Sequence, residues 1–518
     1  MDHTRAPLFD RMLEHRKLQS TSFHVPGHKA GVGIDPLATD VLAAVMSIDL
    51  TELTGLDDLH QPEGVIREAE LLAADCYGAD HTFLLVGGST VGNLAVILSM
   101  CQKGQNDLFI VQRNVHKSII HGLMLAHAQA VFIAPQVDAA TGISTGVSLI
   151  DVESALKQHP EAVGVILTNP NYYGMGVNLR SIIDRVHAMD KPVLVDEAHG
   201  AHYGFHPEIP QSALFAGADG VVQSTHKMLT AMTMGAMLHL QGNRIDPQSV
   251  RRHLSIVQSS SPSYPILASL DLSRRQLQLQ GRSLLGNALD AMNRLQQNMA
   301  TTMPWFQVIG QETTTKDSKV SQVPHTTQAT QVQASHTPQA YTTLDPLKIT
   351  IGDRTGTLGG FELQHQLEQH RCYPEMADPH YVVLALSLVT REQDIDRLLL
   401  ALRTISIEFQ LDKQELSLTA KHSFTYPPIS DPVSFSMQPI LTQTAHADAD
   451  LPYIEATIKE AVGHVSLQAI TPYPPGIPIL YPGERVSVAV AEQLQLWIQS
   501  GARIHGLTEN GNMRISRS

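Results

Sequence analysis

The stretch HTFLLVGGSTVGNLAVILSM (81–100) passes from a continuous apolar run, through two glycines and two hydroxyl residues, into a second apolar segment of helical length. HTFLLV has the length and composition of a buried strand, GGST reads as a turn, and VGNLAVILSM reads as a helix. The alternation continues through LFIVQ (108–112), AVFIAP (130–135), AVGVILT (162–168), KPVLVD (191–196), DGVVQS (219–224) and GAMLHL (235–240), with amphipathic stretches between. Apolar strands separated by helices predict an α/β fold built on a mostly parallel, seven-stranded sheet covered on both faces. In such sheets ligands sit beyond the carboxyl ends of the strands. GGST, NPNYYG, DEAHG and STHK all fall there, so four polar clusters are expected to converge on one crevice.

Beyond this region the chain changes character. The 518 residues exceed what one simple core holds and imply several domains. An N-terminal segment (1–60) precedes a large domain (61–300). QETTTKDSKVSQVPHTTQATQVQASHTPQAY (311–341) is rich in Gln, Thr and Ser; it buries too little surface to offset its ordering entropy, so 301–343 is expected to be a mobile insertion. KITI, GGFELQHQLEQ, YVVLALSL and REQDIDRLLLALRTI then read as a small α/β domain (344–410). The C-terminal part (411–518) holds YIEATIKEAV, which reads as an amphipathic helix, and the Pro-rich ITPYPPGIPILYPGERV (470–486).

Composition excludes several classes. No apolar run is long enough to span a bilayer, and MDHTRAPLFDRMLEHRK lacks a secretory apolar core. Cys76, Cys101 and Cys372 lie far apart and form no CxxC pair, which speaks against a disulfide scaffold or thiolate metal site and for a reducing cytoplasm. A formal net charge of −14 repels phosphate backbones, so nucleic acid is a poor partner. No HExxH or Cys/His cluster marks a metal centre.

Four features carry chemistry, and each has a plainer reading. GGST (87–90) opens a helix, where backbone N–H groups and the hydroxyls of Ser89 and Thr90 can cradle an anion; it is equally a tight turn with a capping hydroxyl. Asp196 ends a buried strand and needs a partner, either a helix cap or arginine, or a cationic ring nitrogen. Lys227, in QSTHKML, is a solvated lysine or a desolvated nucleophilic amine. His116, in RNVHKSI, is a hydrogen-bonded structural histidine or a plate against a planar ring. Alone each is ambiguous. Together on one doubly wound sheet, an anion turn, a strand-end carboxylate and a lysine match the phosphate, pyridinium nitrogen and aldehyde of pyridoxal 5′-phosphate (PLP).

With these residues in view, the sequence resembles the ornithine/lysine/arginine decarboxylase family of fold type I PLP enzymes, in its short form without the N-terminal wing. The resemblance is carried in family order by FHVPGHKAG, DLTELTGLDDLHQPEGVIREAE, LLVGGSTVGN, RNVHKSIIHGL, TNPNYYG, LVDEAHGAH, STHKMLTAMTMGAMLH, SSSPSYPILASLD and TPYPPGIPILYPGERV. It implies decarboxylation of a basic amino acid, arginine first, with lysine or ornithine as alternatives. It implies that Lys227 covalently holds the cofactor, Asp196 pairs with its ring nitrogen, and Ser89, Thr90, Ser224 and His226 contact its phosphate. His116 would stack on the ring and His199 pack nearby. Met234 stands where the family usually has glutamine. Glu484, Asp57 and Asp58 are candidates for the substrate's far end, each equally a turn or capping acid. The family builds its site between subunits, so a homodimer is expected, with residues 1–60 contributing to site and dimer and SSSPSY (259–264) reaching a neighbour's cofactor. Two other readings stand beside this one: another PLP reaction, such as aminotransfer or aldol-type cleavage, and a catalytically silent regulatory homologue.

Overall fold

The computed structural model describes residues 1–102, 104, 106–310, 340–416, 426–435, 453–473 and 476–516. The Gln/Thr-rich stretch lies outside them apart from its last two residues. Helices α1 (Pro7–Lys17) and α2 (Val65–Tyr77) lead into the alternating region. It runs β1 (His81–Leu85), α3 (Gly88–Met100), β2 (Leu108–Gln112), α4 (Lys117–Leu125), β3 (Gln129–Ile133), α5 (Leu149–Gln158), β4 (Gly164–Thr168), α6 (Leu179–His187), β5 (Val193–Asp196), β6 (Gly220–Gln223), α7 (Thr225–Met228) and β7 (Ala236–Leu240). All seven expected strands are present.

Their order in the sheet is β1-β7-β6-β5-β4-β2-β3. β2 through β6 pair in parallel, while β7 is antiparallel to both β6 and β1. β7 alone of the seven therefore runs against the rest, and the carboxyl ends of the other six share one edge. Leu85, Phe109, Ile110, Ile166, Leu194, Val195 and Val222 are fully buried or nearly so, split between the cores on the two faces of the sheet. That is why the strands read as continuous apolar runs rather than alternating ones.

A 39-residue helix, α8 (Tyr264–Thr302), carries the chain to a second sheet. That sheet holds β8 (Phe306–Val308), β9 (Lys348–Asp353), β10 (Met376–Ala377) and β11 (Tyr381–Ala385) in the order β10-β11-β9-β8, all antiparallel. Helices α9 (Gly360–Gln369) and α10 (Glu392–Glu408) contribute Leu363, Leu367, Leu398 and Leu402 to the core that this sheet shares with Leu285, Leu295 and Met299 of α8. The expected insertion bounds of 301 and 343 are too wide: residues 301–302 belong to α8, Phe306–Val308 form β8 and Thr343 pairs with Gly176, while residues 311–339 lie outside the described residues.

The C-terminal part departs from expectation in one element. YIEATIKEAV does not form a helix over its described length. Tyr453–Ala456 is instead a strand, β13, paired antiparallel with β14 (Met513–Ser516), and residues 458–463 turn back on themselves. Before it, β12 (Val433–Ser434) adds an eighth, antiparallel edge strand to β3 of the large sheet. Helix α11 (Val488–Gln499) packs Val490, Ala491 and Leu494 against Ile470, Leu480 and Ile515.

Candidate active site

Asp196 is the last residue of β5, in register with Thr168 of β4 and Val222 of β6, so two parallel neighbours fix its place at the carboxyl edge. It is 3% exposed. Oδ1 accepts from the Ala198 N–H (3.1 Å), and Oδ2 accepts from Asn93 Nδ2 (3.1 Å). Burial pushes its carboxyl above the ordinary carboxylate range, while the positive charge of Lys227 and the two hydrogen bonds oppose the rise.

Asn93 projects from α3 and also donates to Ser118 Oγ (2.9 Å). The Ser118 hydroxyl is then free to donate to His116 Nδ1, 2.9 Å away. The Ser118 amide donates to the same nitrogen, which makes His116 the cap of α4. With Nδ1 accepting, the neutral ring carries its hydrogen on Nε2. Burial first, then the charges of Lys227 and Lys117, push this imidazole down to about 3. His116 is therefore a neutral ring tied to Asp196 through Ser118 and Asn93.

The turn expected to cradle an anion lies at the start of α3. Gly88 has φ of +73°, a left-handed conformation that costs glycine little. It turns the chain so that Ser89 and Thr90 stand in the first helical turn, which no side chain caps. Ser224 Oγ donates to Ser89 Oγ (2.9 Å), joining the loop after β6 to the cradle. His226 Nδ1 donates to the Gly235 carbonyl (3.0 Å), leaving Nε2 as the ring atom available to an anion. Met234, at φ +74°, meets the cradle through its backbone: its carbonyl accepts from Gly88 N–H (2.8 Å), while its side chain is half-exposed. The departure from glutamine thus leaves this contact in place.

Lys227 lies in the four-residue helix α7 that follows β6. Its Nζ is 3.0 Å from His199 Nε2 and 5.5 Å from the centroid of the Tyr172 ring. Burial lowers the affinity of this amine for its proton, against the opposing charges of Asp196 and Glu375. His199 is itself buried, tilts against Tyr172 with ring centroids 4.6 Å apart, and has its proton affinity pushed well down by burial and by the charges of Lys227 and Lys348.

Three of the candidate acids lie elsewhere. Asp57 accepts from the backbone N–H groups of Glu63, Gly64, Ile66 and Arg67, capping α2, and Asp58 accepts from His60 N–H. Glu484 forms a two-pronged pair with Arg113, with Nη2 2.7 Å from Oε2, and accepts from Tyr481 N–H. The Arg113 guanidinium also lies 4.0 Å from the centroid of the Tyr426 ring. This pair fastens the C-terminal part to the loop after β2. Glu484→Ala leaves the buried guanidinium unpaired and is expected to cost about 3–5 kcal/mol of stability, read as a lower denaturation midpoint, with KM unchanged. A raised KM at unaltered stability would return Glu484 to the substrate pocket.

Sequence reading missed Asn93, Ser118, Tyr172, Lys348 and Glu375. A cavity of about 210 Å³ is lined by Asn171, Tyr172, Tyr173, His380, Ile477 and Trp497 among others; it meets the lysine site through Tyr172 rather than enclosing it. Near the cradle, Gly476 of the Pro-rich segment approaches the His116 ring. Among the described residues no helix is long and apolar enough to cross a membrane, and no group of three or more His, Cys, Asp or Glu is arranged to hold a metal.

A buried strand-end carboxylate, an uncapped helix start and a desolvated lysine at one edge of this sheet define the class of fold type I PLP enzymes. Within that class, the chain belongs to the Orn/Lys/Arg decarboxylase family, whose major domain matches residues 6–394 and whose C-terminal domain matches residues 416–510. It is 38% identical over 511 residues to the Bacillus subtilis protein called "Uncharacterized protein YaaO", covering 98% of this chain and 96% of that one. It is 33% identical over 489 residues to the arginine decarboxylase of B. subtilis, covering 94% and 92%. The fold superposes on the constitutive lysine decarboxylase of E. coli with a TM-score of 0.75 at 21% identity, over all of this chain and 82% of that one. The protein is a PLP-dependent amino acid decarboxylase acting on a basic amino acid.

Proposed function

We propose that the enzyme removes the α-carboxylate of L-arginine to give agmatine. The observation that carries the reading is the meeting of Lys227, Asp196 and the uncapped α3 start at one sheet edge. The preference for arginine is supported by the near full-length likeness to an arginine decarboxylase. Lysine giving cadaverine and ornithine giving putrescine are the competing substrates. Incubation with each amino acid, scoring carbon dioxide and amine, is expected to give the highest kcat/KM with arginine; dominance of cadaverine or putrescine would overturn the preference.

The residues fit the cofactor. The hydroxyls of Thr168, at the end of β4 beside Asp196, and Thr225, which opens α7 two residues before Lys227, are buried without a hydrogen-bond partner among the described residues. Ser89, Thr90, Ser224, His226 and the α3 amides would hold the phosphate, Asp196 the ring nitrogen, Lys227 the aldehyde carbon, and His116 one face of the ring, with His199 beside the lysine. When bound, PLP supplies a protonated ring able to take up the electron pair released as the carboxylate leaves. Asp196 would keep a proton on the ring nitrogen, and the Asn93 hydrogen bond would keep Asp196 aimed. Lys227 would hold the cofactor, and its free amine, as an ammonium, could deliver a proton to the substrate's Cα. These groups also argue against a silent homologue, which has no physical need of them together.

The far cation of the substrate requires an acid. Glu375, just before β10, lies close enough for its charge to act on Lys227, Lys348 and His226. We assign it that role. Glu375→Gln is expected to raise KM for the basic substrate about tenfold or more, the worth of one charged hydrogen bond, with a smaller change in kcat. An unchanged KM would remove Glu375 from the pocket.

A homodimer completes the reading. Segment 23–41 leaves Phe23, Val32, Leu37 and Val41 strongly exposed, an apolar face suited to a second copy. SSSPSY reaching the neighbour's cofactor, and a cytoplasmic setting for the thiols, belong to the same proposal.

A further inference from the structure

Lys348 opens β9, an interior strand of the small sheet, and is 4% exposed. Lysine is rarely buried so fully without a partner. Among the described residues the hydrogen bond of its amine is to one atom: Nζ lies 2.9 Å from His199 Nδ1. The other nitrogen of that ring, Nε2, is the atom 3.0 Å from Lys227 Nζ. One imidazole therefore bridges two lysine amines, one from α7 after β6 of the large sheet and one from β9 of the small sheet.

The bridge imposes a rule. A neutral imidazole has one N–H and one lone pair. Only one flanking amine can donate to it as an ammonium, and the other must accept from it as a neutral amine. Two ammonium groups cannot both be satisfied. We propose that Lys348, acting through His199, is a positioning residue that holds the Lys227 amine neutral and returns a proton to it. When the Lys227 amine is free, the Lys348 ammonium donates to Nδ1, and the Nε2–H donates to the lone pair of Lys227. A proton then passes from Lys348 to Nδ1 while the Nε2 proton passes to Lys227. Lys348 ends neutral, Lys227 ends as an ammonium, and the ring stays neutral with its tautomer exchanged; no electrons move between residues. Replacing a carboxylate by hydrogen takes up one proton per turnover, so the reaction needs such a supply. The inference rests on the decarboxylase reading for its purpose, though not for its test.

The surroundings favour the exchange. Burial draws the Lys348 ammonium down to about 8, helped by the charge of Lys227 and opposed by Glu375 and Asp345. Lys227 is faced by Asp196 and Glu375, and its own charge acts on His116, His199 and His226. His202, whose Nε2 lies 3.1 Å from Asp345 Oδ2, stands close enough to His199 for its charge to oppose protonation there.

The test titrates Lys227 in the full-length chain freed of cofactor. Competitive acetylation with acetic anhydride across pH, read by mass spectrometry against the exposed Lys157 as internal standard, gives its apparent pKa. Lys348→Met is expected to raise that value by about one unit, because the neighbouring ammonium and its hold on the ring tautomer are gone. In a His199→Phe background the same substitution should produce a clearly smaller shift, since the part carried through the ring is gone and only the direct charge effect remains. Lys348→Arg, which donates but does not give up a proton, should leave the titration of Lys227 unchanged and still lower kcat of the loaded enzyme. Circular dichroism checks folding, and Lys348→Gln replaces the methionine variant if that one fails to fold. An unmoved Lys227 titration in Lys348→Met or Lys348→Gln overturns the proposal, as does a shift of equal size with and without His199. No cofactor or substrate enters the titration, so its outcome stands apart from the decarboxylase reading.

Discussion

Lys227→Ala is expected to abolish decarboxylation, by on the order of 10⁴-fold or more, while the chain still folds. The amine is the group proposed to hold the cofactor and to handle the proton at Cα, so its removal strikes two steps. Little of the fold depends on it. The backbone of α7 is fixed by Lys227 N–H to the Ser224 carbonyl and by Leu229 N–H to the Thr225 carbonyl, which alanine preserves. Its side-chain hydrogen bond is to His199, which keeps Lys348 on its other nitrogen. Amine release from arginine with added PLP measures the loss, and circular dichroism measures the fold. Substantial turnover in a folded Lys227→Ala protein would contradict the assignment.

Asp196→Asn is expected to have the next largest effect, a fall in kcat of about 10²–10³-fold, the usual worth of one preorganised electrostatic contact in a dry site. Asparagine keeps the size of the side chain, removes its charge and turns one of its two accepting oxygens into a donor. In the cofactor-free chain that charge is a burden, because burial already disfavours it. Relief of that charge offsets the lost acceptor, so the cofactor-free variant should lose little stability, and the loaded enzyme should suffer far more. Paired thermal melts with and without PLP, set beside kcat, separate the two effects. A variant destabilised equally in both states would make Asp196 a structural acid instead.

The fold was legible because a parallel sheet buried on both faces leaves unmixed apolar runs, and all seven runs are strands. The polar clusters at their ends were legible for the same reason, since the strand direction says where Asp196 and STHK must stand. What sequence hid was long-range pairing. YIEATIKEAV has a helical period, yet Tyr453–Ala456 finds an edge in Met513–Ser516, and that partner outweighs local preference. Glu484 reads as a turn acid or a pocket acid until Arg113, 371 residues away, is seen to hold it. Lys348 lies in DPLKITI, whose strand period says nothing of what its amine will meet. The one available signal was a lysine in an otherwise apolar strand, costly unless paired. Asn93 gave a fainter sign, a polar residue on the buried side of an apolar helix.

A covalent bond between PLP and one lysine is the centre of the proposed chemistry, and the site contains two lysines, Lys227 and Lys348. Borohydride reduction of the PLP-loaded enzyme, followed by proteolysis and mass spectrometry, locates that bond directly. The predicted result is a pyridoxyl adduct on the peptide containing Lys227 and none on the peptide containing Lys348. An adduct on Lys348, or no adduct on Lys227 in an active preparation, would contradict it.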